Sequence, residues 1–206
     1  PRTSGPGFAV TCHPDELRRP MTWKTPQMVF VNSMSDLFHD QVGAAFIASV
    51  FDVMALQNQH TYQVLTKRPQ RMAQLVGGPL NGGHSVWPLP NVWLGTSIES
   101  DRYAFRANHL RETPAAVRFL SLEPLLGPLP SLDLTGIGWA IIGAESGKGA
   151  QPMELDWARE IVAKARDAGT AVFVKQLSGG FHAVKDIELF PPDLRIREYP
   201  TPKAAA

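Results

Sequence analysis

Six short apolar runs each end in a cluster of polar and charged residues, and this repeated ending constrains the fold more than any other feature of the chain. They are MVFV at 28–31 into NSMSD at 32–36, YQVL at 62–65 into TKR at 66–68, and VWL at 92–94 into GTSIE at 95–99. VRFL at 117–120 then leads into SLE at 121–123, WAII at 139–142 into GAESG at 143–147, and VFV at 172–174 into KQ at 175–176. Near-continuous apolar runs of this length suit strands buried on both faces of a parallel sheet. If all six run the same way, their polar endings share one rim. Desolvated charge is costly unless it is paired or used, so a rim carrying Lys67, Arg68, Glu99, Glu123, Glu145 and Lys175 reads as an active site.

Between the runs lie segments with helical spacing. Val42, Phe46, Val50, Val53 and Met54 recur as one stripe, with Asp40 placed as an N-cap. Trp157, Ile161 and Ala165 form another from 155 to 168, stopped by Gly169. Tyr103, Ala107 and Leu110 mark a third across 100–111, and a shorter helix is expected at 69–76. Residues 123–137 hold Pro124, Pro128 and Pro130 and read as an extended crossover. Residues 76–90 read as a Gly/Pro-rich rim loop.

Strand-helix alternation allows an open doubly wound sheet or a parallel β/α barrel. The expectation is an α/β fold with a full or partial TIM-like barrel, because every strand, and not only those at one switch point, ends in candidate chemistry. The 206 residues, 44% hydrophobic and 19% charged, suffice for a single core. The expected layout is one domain spanning 1–206, with an N-terminal extension at 1–27 and a C-terminal strap at 177–206. Twenty Lys plus Arg against 19 Asp plus Glu leave a net charge of +1, so no bulk field draws the chain to nucleic acid or membrane. No apolar run reaches membrane-spanning length and no signal peptide is visible, which favours a cytoplasmic location. The lone Cys12 excludes an internal disulfide, and the scattered histidines form no zinc signature. His39 reads as a structural histidine and no metal ligand is assigned.

Several catalytic templates lack their parts, since the chain has no G-x-S-x-G elbow, P-loop or dinucleotide fingerprint. Glu123, Glu145 and Lys175 are the catalytic candidates. Glu123 and Glu145 on adjacent strands resemble the two carboxylates of a glycoside hydrolase, with Trp87 and Trp93 as rim aromatics for a sugar. Lys67 and Arg68 precede a helix N-terminus, where the dipole disfavours cations, so they are read as binding a substrate phosphate or carboxylate. Ser97 and Glu99 are further substrate-binding candidates, although capping of the next helix is the simpler account of Thr96, Ser97 and Ser100. A non-enzymatic alternative is a patch of Lys67, Arg68, Arg71, Arg102, Arg106 and Arg111 that binds nucleic acid or a host protein.

The strings VNSMSDLFH at 31–39, LTKRP at 65–69, GTSIES at 95–100, FLSLEPLLGP at 119–128, IIGAESG at 141–147 and VKQ at 174–176 occur in order. Together with the tail FPPDLRIREYP at 190–200, they resemble a phage-associated three-cysteine-motif family of unknown function. Its cysteine motif is similar to the cluster loop of radical S-adenosylmethionine enzymes, whose core is a partial β/α barrel. The resemblance implies S-adenosylmethionine and a [4Fe-4S] cluster as cofactors if such a motif precedes Pro1; Cys12 does not correspond to it. It implies that Asn32, Ser33 and Asp36 contact the amino group of the methionine moiety and that Gly143 and Gly147 approach the adenine. It implies hydrogen abstraction from an unknown substrate, in a host cytoplasm if the chain is phage-encoded.

Overall fold

The structure is a computed structural model that describes residues 9–81, 84–179 and 182–201. Six parallel strands stand in the order of the sequence: β1 (Met28–Val31), β2 (Thr61–Thr66), β3 (Val92–Ser97), β4 (Val117–Leu122), β5 (Trp139–Gly143) and β6 (Ala171–Gln176). Four helices connect them: α1 (Ala44–Leu56) after β1, α2 (Pro69–Val76) after β2, α3 (Arg106–Glu112) after β3 and α4 (Leu155–Ala168) after β5. Parallel neighbours joined in sequence need crossovers of one hand, which place every helix on the same face. The sheet therefore curls into a half-barrel. Its end strands β1 and β6 do not pair, so the barrel is partial and not closed.

The period-two alternation of each strand divides the apolar residues between two faces. Val64, Leu94, Leu120, Ile142 and Val174 share one core with Ile47, Phe51, Met72, Leu110 and Ile161 from all four helices. Leu65, Trp93, Phe119, Trp139, Ile141 and Phe173 form a second cluster made of strand residues alone, on the concave face. Trp139 is its hub, with Trp93, Phe119 and Phe173 rings at 5.9–6.0 Å. β1 departs from the expectation of burial on both faces. It is an edge strand, and Met28 and Phe30 remain 51% and 44% exposed.

The helices at 69–76 and 155–168 stand where they are expected, and Gly169 ends α4 with φ +67°. α1 begins later than expected. Gly43, not Asp40, is its N-cap, because the Arg71 guanidinium ties the carbonyls of Phe38, His39 and Val42 into turns ahead of the helix. The segment at 100–111 splits into a 3-10 turn at Asp101–Tyr103 and the shorter α3. Residues 123–137 contain no helix, as expected of a proline-rich crossover. The loop at 76–90, two of whose residues lie outside the described ones, is not at the rim. It runs from the end of α2 to the start of β3, so parallel topology puts it at the opposite, N-terminal end of the strands. Trp87 goes with it and packs on Phe51 and His84, while Trp93 belongs to the concave cluster, so neither is a rim aromatic.

Two buried anchors hold the ends of the chain to the sheet. His60, 1% exposed, accepts the Gln27 N–H through Nδ1 at 3.1 Å, with Nε2 3.3 Å from the Pro20 carbonyl, fixing the 3-10 segment Pro14–Thr22 beside β1. At the other end the strap runs antiparallel along β6, with Val174 N–H donating to Ile196 O and Glu198 N–H to Val172 O, both at 2.8 Å. The Glu198 carboxylate also accepts from Arg166 and from the Val172 N–H, each at 2.9 Å, while its backbone carbonyl accepts from Trp139 Nε1. No helix among the described residues is long and apolar enough to cross a membrane.

The hydrogen bond from Arg166, then that from the Val172 backbone, holds the Glu198 carboxyl below its ordinary range against an opposing desolvation cost. A carboxyl depressed on folding contributes stability above its unfolded value that is lost as pH falls through the folded one. Wild-type protein is therefore expected to be more stable than Glu198→Gln at pH 7, with the gap closing below about pH 4. Thermal unfolding of the two proteins across that range checks this, and a gap independent of pH contradicts it.

Candidate active site

Above the aromatic floor of the concave face, the alternation that places Leu65, Trp93, Phe119, Ile141 and Phe173 there continues into polar residues and glycines. Two residues further along each strand stand Lys67, Gly95, Ser121, Gly143 and Lys175; Ser97, Glu99, Glu123 and Glu145 continue the same rows toward the C-terminal ends. The six polar endings share one rim because all the strands are parallel. Ser97 and Ser121 are buried, at 4% and 7% exposure, and form a small-residue shelf between the floor and the charges.

One pair crosses an entire strand. Lys175 Nζ donates to both carboxylate oxygens of Glu123 at 2.9 Å, although β5 lies between β4 and β6. Two local features allow it. The β5–β6 register shifts after Ile142, which pairs with Val174, so that Gly143 pairs with Gln176 and Lys175 is the extra residue of a bulge. Bulges re-aim side chains. Gly143 leaves the intervening position bare, and a Cβ there would stand 3.0 Å from Glu123 Cγ and Cδ. The concave side of Gly143 is thus filled by Glu123, not open to a flat ligand.

A second group lies on β2, β3 and α3. Glu99, its side chain 9% exposed, pairs with Lys67 through Oε1 and with Arg106 through Oε2 at 3.1 Å. Arg106 also donates to the Ser97 carbonyl at 2.8 Å. The capping account of this segment does not hold. Ser100 makes no side-chain cap, Thr96 Oγ1 donates instead to Thr66 O across the sheet, and Glu99 precedes the 3-10 turn. Leu126 N–H donates to Glu99 O and Leu125 N–H to Gly143 O, so the segment after Glu123 staples both groups together.

Asp36 closes the β1 side. Its carboxylate accepts from Thr66 Oγ1 at 2.7 Å, Arg68 at 2.9 Å, and the N–H groups of Phe38 and Lys67. Its acceptor capacity is used within the protein. Asn32, in the left-handed region at φ +58°, and Ser33 are exposed on the adjacent turn, where Asn32 Nδ2 donates to Ser35 Oγ. Glu145 accepts the Gln151 N–H at 2.8 Å, folding the loop in which Gly147, at φ +112°, makes the turn. His39 is satisfied locally by the Gln41 N–H.

The structure thus brings Lys67, Ser97, Glu99, Glu123 and Lys175 to one concave mouth, with Asn32, Ser33, Asp36, Arg68, Gly143, Glu145 and Gly147 around its margin. Lys67 and Arg68, read as ligands for a substrate anion, hold the protein's own carboxylates. Of the other patch cations, Arg71 holds turn carbonyls, Arg111 pairs with Asp133, and Arg102 and Arg106 lie over the Tyr103 ring. Sequence reasoning missed Ser121, and it placed Arg106 only in a basic patch and not beside Glu99. Ser121 was legible as the residue two before Glu123, whereas Arg106 is reached through an irregular turn that carries no periodicity.

The family model described as Protein of unknown function (DUF5131) matches residues 3–197, and the chain belongs to that family. No curated protein and no solved structure matches the chain.

Gly143→Ala is expected to push Glu123 off Lys175 and to lower stability by about 1 kcal/mol. Lys175→Met, costing up to about 1 kcal/mol on its own for so exposed a pair, is expected to cost much less in the Gly143→Ala background. Urea unfolding of the single and double variants measures both, and additive effects contradict the bridge.

Proposed function

We propose that this member of the DUF5131 family carries the β/α half-barrel of a radical S-adenosylmethionine-type enzyme, with its active site at the C-terminal strand ends. The observation that supports this reading best is the sequential order of six parallel strands, which gathers residues from 67 to 175 around one concave mouth. Strand ends of such barrels are where side chains from separate segments converge on a ligand.

The residues present fit one of the two implied groups. S-adenosylmethionine offers an amino-acid head, a cationic sulfur, a ribose and a flat base. Asn32 and Ser33 would hold the amino-acid head from the exposed turn after β1, since Asp36 is already saturated. Glu99 and Glu123 are likewise held by Lys67, Arg106 and Lys175, so the polar surface that would be offered to the ribose is that of Ser97 and Ser121. Once bound and cleaved by an electron from a donor that these residues do not hold, the group would supply hydrogen abstraction from substrate, and the protein would orient it and exclude water. A cluster held by three thiolates does not fit these 206 residues, which contain Cys12 alone. Glu123 and Lys175 stay in contact at the mouth, a fixed pair that would position substrate.

Calorimetry with S-adenosylmethionine tests this directly. Saturable binding is expected, weakened at least ~tenfold, about 1.4 kcal/mol, by Asn32→Gly combined with Ser33→Ala, which preserve the left-handed backbone. Folded protein that shows no binding, or a double variant that binds as tightly, contradicts the reading.

A further inference from the structure

A cavity of about 860 Å³, open on one side, lies at the opposite end of the sheet, against the starts of β4, β5 and β6. Its walls include Arg118, Thr170, Tyr199 and Pro88, with the Arg166–Glu198 pair at its margin. Arg166 and Glu198 cancel, because Nη1 and Nη2 of the arginine engage the two carboxylate oxygens at 2.9 and 2.8 Å. Arg118 has no such partner. Its Nε–H donates to the Thr113 carbonyl at 2.9 Å, while the four N–H groups of its terminal nitrogens meet no carboxylate among the described residues.

We infer that this cavity binds a small organic monoanion, a carboxylate on an apolar or aromatic body, held through its carboxylate by Arg118. The bond to Thr113, the residue that ends α3, explains one N–H as a structural brace and leaves the outward fork of the guanidinium unexplained. A half-buried guanidinium remains charged at any ordinary pH, so its unmet donors favour an anion. Arg118 is half-buried in the cavity wall, and that burial pushes it down from its usual value. One uncompensated positive charge matches one negative charge better than a phosphate dianion. The fork matches a carboxylate in two-point contact, and the proline and Tyr199 surfaces suit an apolar body. This site shares no residue with the concave mouth and does not depend on the function proposed for it.

Benzoate is the probe, with benzylamine and inorganic phosphate as controls, titrated into the 206-residue protein by ligand-observed NMR. Saturable benzoate binding at ~1 mM or tighter is expected, with none for benzylamine. Arg118→Gln is expected to weaken it at least ~tenfold, with the far-ultraviolet circular dichroism unchanged. If that variant does not fold, Ala116→Phe, which narrows the cavity and keeps Arg118, is expected to weaken binding by as much. No saturation by ~10 mM overturns the inference, as does tighter binding of phosphate or undiminished binding by a folded variant.

Discussion

Everything in this molecule follows from six parallel strands being laid down in the order of the sequence. Each strand pairs with its immediate predecessor, so every crossover has the same hand and deposits its helix on the same face. The other face is left to the strands and curls inward. That single constraint produces both cores: a large one beneath the helices and a small aromatic one, centred on Trp139, that floors the concave side. It also turns six separate chain segments into one rim.

The rim is a set of matched charges, not a field of one sign. Asp36 with Arg68, Glu99 with Lys67 and Arg106, and Glu123 with Lys175 each close within the protein. Such pairs hold their side chains in place more than they add stability, because partly exposed ion pairs contribute little. Their value lies in geometry: carboxylates and ammonium groups stand fixed above a shelf of serines, with the bulge at Lys175 and the bare position at Gly143 making the longest reach possible. The arginines of the basic patch face carbonyls, carboxylates or an aromatic ring.

Much of the fold was legible because strands buried in a parallel sheet show themselves as apolar runs, and all six were visible with their order. α4 was legible by its hydrophobic stripe, and α2 was expected at the residues it occupies. What escaped is what depends on tertiary contacts. Asp40 looks like a helix cap, yet Arg71 reaches back from α2 to organise the turns before α1, and no local pattern announces that. Whether the sheet closes is a matter of β1 meeting β6, which neither strand's sequence records. The site was legible as a roster of strand-end residues and not as a set of partners. That Lys175 joins Glu123 and not Glu145 follows from a one-residue register shift, and His60 and Arg118 gave no signal because isolated polar residues carry no period.

Zero-length carbodiimide coupling, followed by peptide mass spectrometry, tests the shared mouth most directly, since it joins only carboxylates and amines already in contact. The account predicts isopeptide links between Glu123 and Lys175 and between Lys67 and Glu99 in the folded protein, both lost on denaturation. Links from Lys175 to residues remote from the strand ends, with neither predicted link formed, would contradict it.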